Sequence, residues 1–130
     1  MHYVSEYRQK MNDFRDQLWN QLYIIPTLDL NLQRVVLFYL IELACQSQND
    51  INIQIGREAL LSLPRQWLLS HIEGVVELIN KSEDEWEYRR LLELYWLLDK
   101  KLVKRFALQG LKSENPDVVE AAEEFINKLN

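Results

Sequence analysis

Apolar residues recur at three- and four-residue spacings along nearly the whole chain, and no segment alternates apolar and polar residues with a period of two. This pattern predicts an all-α protein, and seven helices can be laid along it. The first covers about residues 3–23 and places Tyr7, Met11, Phe14, Leu18, Trp19 and Leu22 on one stripe. Pro26 cannot continue that helix, and Asp29 can cap the next. The second, about 30–47, is apolar on two sides, with Leu32, Val35, Val36, Tyr39, Leu40 and Leu43 on one and Leu37, Phe38, Ile41 and Cys45 on the other. A helix apolar all round is buried by several neighbours, so it should be the central one.

After the polar turn "QSQND" a third helix runs over about 51–62 and stops at Pro64. The fourth, about 65–80, turns Leu68, Leu69, Ile72, Val75, Val76 and Ile79 inward. "NKSED" interrupts the pattern, and Ser82 followed by Glu85 has the spacing of a capping box for a fifth helix over 84–98. A sixth follows Asp99 to about Lys112. The seventh opens at "SENPDVVEA", where Pro116 takes a first-turn position that needs no N–H donor.

Three helices align on one i, i+3, i+4, i+7 template: Gly56, Ala59, Leu60, Leu63; Tyr88, Leu91, Leu92, Tyr95; and Val118, Ala121, Ala122, Phe125. The copies are offset by 32 and then 30 residues, and Ile72, Val75, Val76, Ile79 and Val103, Phe106, Ala107, Gly110 form a second series 31 residues apart. A period of this size with two amphipathic helices inside it predicts stacked helix pairs, which bury their apolar sides only against neighbouring pairs.

The stretch "KKLVKRFALQGLKSENPDVVEAAEEFINKL", residues 100–129, resembles the HEAT-repeat family: the second helix of one unit, a short acidic turn with a proline, and the first helix of the next. The resemblance covers residues 50–130, with 1–49 as a divergent first pair in a single domain of residues 1–130. It implies a right-handed stack of antiparallel helix pairs whose common use is protein binding, and it implies no reaction. Many such units carry an arginine after the valine of the first helix. Here Tyr88-Arg89 keeps it and Val118-Val119 does not, which puts the family's inter-repeat arginine ladder in doubt.

Composition narrows the function classes. The 130 residues are 48% hydrophobic and 27% charged, with three glycines and three prolines, which is the balance of a folded chain. Cys45 is alone, so neither an intramolecular disulfide nor a multi-cysteine zinc site can form, and the cytoplasm is the expected compartment. The run Val35 to Cys45 is broken by Glu42 and too short for a membrane span, and the first residues carry no signal-peptide pattern. The net charge is −5, with 7 acidic and 6 basic side chains in residues 1–65 against 13 and 9 in 66–130. Such a chain is a poor binder of phosphate backbones and a better match for a basic protein.

Catalytic groups, cofactor sites and metal sites are expected to be absent. His71 lies near Glu73 and Glu77 without the spacing of a metal motif, and His2 reads as an ordinary surface histidine. Cys45 reads as a small core hydrophobe. Gly56, Gly74 and Gly110 are isolated in helical patterns, so close helix packing explains them better than a phosphate loop. Lys100, Lys101, Lys104 and Arg105 form a basic cluster, whose first two members are read as closing the fifth helix, where cations complement the macrodipole.

The acidic clusters carry the candidate site. Glu83, Asp84, Glu85 and Glu87 open the fifth helix; Glu114, Asp117 and Glu120 open the seventh, with Glu123 and Glu124 a turn later. Each cluster is explained locally by placement at a helix N-terminus. If the two helices stack in equivalent positions, the clusters merge into an acidic ridge, either a solvated edge or a surface for a basic partner. Tyr88 and Tyr95 belong to the core template, while Trp96 should pack toward the companion helix or the preceding repeat. Trp67 reads as packed. Trp86, two positions before the template begins, is either packed on the preceding turn or exposed among carboxylates as an interface hot spot. The expected partner-binding set is Glu83, Asp84, Glu85, Trp86, Glu87, Glu114, Asp117, Glu120 and Glu124.

These expectations describe a non-enzymatic protein-binding module, with no cofactor, nucleic-acid or membrane partner and a monomer favoured. A small acidic chain of this kind is similar to bacterial immunity proteins, which implies a toxin-neutralising inhibitor that occludes a basic toxin, such as a nuclease. The alternatives are a scaffold or assembly subunit using an uncapped end of the stack and, behind it, a nucleic-acid-processing protein using the Lys100 to Arg105 cluster.

Overall fold

The computed structural model describes residues 2–46, 48–80 and 84–130. Among them the fold is all-α: 82% is helical and no strand forms. The α-helices are α1 (His2–Phe14), α2 (Leu30–Ala44), α3 (Asp50–Leu61), α4 (Arg65–Ile79), α5 (Glu85–Leu98), α6 (Lys100–Gly110) and α7 (Pro116–Leu129). None of them is long and apolar enough to cross a membrane.

The first helix is shorter than its apolar spacing predicts. It stops at Phe14, and Gln17 takes a left-handed conformation (φ 61°) with its N–H donated to Asn12 Oδ1 at 2.9 Å. Two 3-10 segments, Leu18–Asn20 and Leu22–Thr27, then bury Leu18 and Ile25. Gln33 of α2 fastens the second of them by donating from Nε2 to the carbonyls of Pro26 and Leu28, both at 2.8 Å. The capping expectations are also revised. Asp29 stands at the start of α2 without accepting a side-chain bond, Asn49 caps α3 by accepting from the Asn52 N–H, and Asp84 caps α5 by accepting from the Glu87 N–H. Ser82 and Glu83 lie outside the described residues. Pro116 sits in the first turn of α7 as expected, behind an Asn115 cap.

The helices form two layers. In one, α1 lies against α3 and α5 against α7; in the other, α2 lies against α4. Arg57 of α3 reaches Glu93 of α5 at 2.5 Å, and Arg105 of α6 reaches Glu73 of α4 at 2.9 Å, completing each row. One hydrophobic cluster extends from Met11 to Phe125, and α2 touches α1, α3, α4 and α5, which makes it central.

Small residues decide which helices pack most closely. α3 lies nearest α2 and α7 nearest α6, so each of these template helices has the preceding helix as its main companion. At Gly56 a Cβ would meet Ala44 N at 2.5 Å and the Leu40 carbonyl at 2.8 Å; at Gly110 it would strike the Tyr88 ring and hydroxyl. Ala121 and Ala122 are the corresponding small side chains of α7. Close packing therefore explains two of the three glycines. It does not explain Gly74, whose absent Cβ would meet nothing within 4 Å.

The aromatic residues of α5 divide as their positions suggest. Tyr88 and Tyr95 are 2% and 1% exposed, both against Phe106, and Tyr88 donates its hydroxyl to the Phe106 carbonyl at 2.9 Å. Trp96, expected to face the companion helix or the preceding repeat, packs edge-on to Phe125 of α7, the next template helix, with Lys100 of α6 over its ring.

Candidate partner-binding site

The acidic residues stand where α5 and α7 begin. Asp99 ends α5 and caps α6, and the start of α5 meets the end of α6 through Tyr88 and Gly110, so the two helices run antiparallel. α6 turns into α7 through a short loop and packs closely along it, and α5 packs on α7. Their N-termini therefore share an edge. Arg89 bridges them, holding Glu85 of its own helix and Glu124 of α7, each at 2.8 Å.

This bridge sorts the candidates. Glu85 and Glu124 are neutralised within the fold, and the hydrogen bond from Arg89 lowers the Glu124 carboxyl below its ordinary value. The charges left exposed are Asp84, Glu114, Asp117 and Glu120, together with Glu123. Asp84 still presents charge although one oxygen accepts the Glu87 N–H at 3.0 Å. Trp86 is 55% exposed, so of its two readings the solvent-facing one holds. Glu83 lies outside the described residues.

Glu87 turns away from the ridge. With Asp84 it lines a cleft of about 430 Å³ whose other wall is the C-terminal half of α2, including Tyr39, Glu42 and Cys45. Burial first, then the charges of Asp84 and Glu42, raise the Glu87 carboxyl above its ordinary value, and its buried Oε1 has no hydrogen-bond partner among the described residues. Glu42 is the functional candidate that sequence reasoning passed over, although it is the one charge that interrupts the apolar run of α2. The cleft and ridge together offer carboxylates to guanidinium or ammonium groups, beside an indole face on which a guanidinium can stack.

The other sequence candidates have structural roles. His71 is half-buried, with Nδ1 donating to the Trp67 carbonyl at 2.7 Å and its ring stacked on Trp67 at 4.9 Å. Burial first, then the Glu87 charge, pushes the Cys45 thiol far up. Among the described residues no group of His, Cys, Asp or Glu could hold a metal ion. The basic cluster is partly tied up: Lys100 lies over the Trp96 ring at 4.3 Å and Arg105 binds Glu73. Lys100 and Lys101 open α6 rather than closing α5, so the macrodipole does not account for them; Asp99, which accepts the Lys101 N–H, offsets their charge.

Arg57 and Arg89 occupy the same place in the template, one residue after Gly56 and Tyr88, and each reaches a glutamate of the next template helix. Two rungs of an arginine ladder are thus present, and Val119 leaves α7 without a third.

Compared with models of protein families, with characterised proteins and with solved structures, the chain matches none.

Proposed function

We propose that the protein is a non-enzymatic binding module of HEAT-like design that engages a basic protein through the α5–α7 edge, as a toxin-neutralising inhibitor. Trp86 carries this reading: a tryptophan more than half exposed, on the same helix turn as Asp84, which forms no ion pair among the described residues. Exposed large aromatics are unfavourable in water and become hot spots when a partner covers them. Glu87 adds support, because its raised carboxyl is stabilised once a cation enters the cleft. Inhibition would follow from occlusion, the module covering the basic surface on which the toxin holds its substrate.

Affinity capture from native lysate at low and moderate salt, with bound proteins identified by mass spectrometry, tests the proposal. One basic, stoichiometric partner that weakens as salt rises is expected. Several neutral partners insensitive to salt would contradict it and favour a scaffold.

A further inference from the structure

A second cleft, of about 340 Å³, lies between α2 and α4 and shares no residue with the acidic one. Its walls are apolar and aromatic, from Leu37, Phe38, Trp67, Val75 and Leu78. Its polar lining includes Arg34, Ser70 and His71, and it contains no carboxylate. In a chain of net charge −5 that is a local reversal of sign. Arg34 is exposed and makes no ion pair among the described residues.

Gly74 belongs to this lining. It is the glycine that packing does not explain, exposed in the middle of α4 with open space where a side chain would stand. Glycine there costs about 1 kcal/mol of helix stability relative to alanine. Its effect is to keep the cleft open. Leu78, 55% exposed one turn further on, leaves an apolar rim without cover.

We infer that the α2–α4 cleft binds a small amphipathic anion, an aromatic or branched apolar body bearing one carboxylate. The body would lie against Trp67, Phe38 and Val75 across the space left by Gly74, and the carboxylate would meet the Arg34 guanidinium. The volume is at the small end of ligand sites, which suits one compact molecule.

The test uses 2-naphthoate as probe, its uncharged relative 2-naphthamide, and amide NMR of the whole protein. Saturable shifts on α2 and α4 are expected, with naphthamide at least tenfold weaker. Arg34→Ala should weaken naphthoate about tenfold, the loss of one charge-assisted contact. Gly74→Leu should abolish binding without lowering Tm, which separates a blocked cleft from a damaged fold. Absence of saturable shifts at millimolar naphthoate, or equal binding by Gly74→Leu, would overturn the inference, as would indifference to Arg34→Ala.

Discussion

Arg89 of α5 binds Glu124 of α7 with Nη1 and Oε2 2.8 Å apart, while its Nε holds Glu85. One guanidinium therefore offsets the charge of two of the eight carboxylates in the expected partner-binding set, although the Glu124 side chain stays 45% exposed. Glu124→Gln should lower Tm by about 2 °C, as for a partly exposed ion pair, while partner affinity stays within about twofold. Thermal unfolding and a binding titration of the same variant check both halves. Loss of affinity without loss of stability would return Glu124 to the interface.

The three glycines make a stability series. Gly56→Ala and Gly110→Ala each place a methyl group in contact with backbone or a buried ring, and each should cost about 1–3 kcal/mol. Gly74→Ala meets open space in a helix and should gain up to about 1 kcal/mol. Urea unfolding of the three variants measures the series, and a gain at Gly56 or Gly110 would show that the close approach of their helices is not real.

Glu87 should give a distinctive pH dependence. Its folded carboxyl is raised, so the unfolded state loses its proton first and stability falls as pH rises through the interval between the two values. Glu124, lowered, acts in the opposite sense: its contribution is present at neutral pH and lost as pH falls through its folded value. Glu87→Gln should therefore raise stability by several tenths of a kcal/mol, on the order of other surface changes, at pH 7 and by less at pH 4. Melting curves at the two pH values decide it; a variant less stable at pH 7 would mean that the carboxylate is satisfied.

Cys45 should be inert. It is 6% exposed with its thiol pushed far up by burial. Reaction with an aromatic disulfide reagent should be at least about a hundredfold slower in native buffer than in urea, because attack needs thiolate and access. Comparable rates would show the end of α2 to be open.

Helix spacing was legible where packing alone sets the structure. α2 to α7 lie within a few residues of their expected bounds because an amphipathic period and a proline or polar turn mark each. α1 was misread because Phe14, Leu18 and Leu22 keep a four-residue spacing across a break. The break is made by Gln17 and the Asn12 side chain, and no proline or glycine announces it. The acidic clusters could be read from their positions at helix starts, but their division could not. Which carboxylate Arg89 holds, and that Glu87 faces Glu42, depend on contacts across 35 residues and on the fold bringing α2 to α5. Gly74 looked like Gly56 and Gly110 in the sequence; only the space around it separates them.

If the exposed charges and indole of the α5–α7 edge hold a basic partner, as proposed, removing either should weaken the complex. Asp84→Asn, Asp117→Asn and Glu120→Gln combined remove three charges while asparagine keeps the α5 cap. Calorimetric titration of the captured partner with this variant and with Trp86→Ala, at matched Tm, is the most direct measurement. At least a tenfold loss of affinity for each, steeper at low salt for the charge variant, is the predicted result. Affinities within twofold of the parent protein would contradict the account.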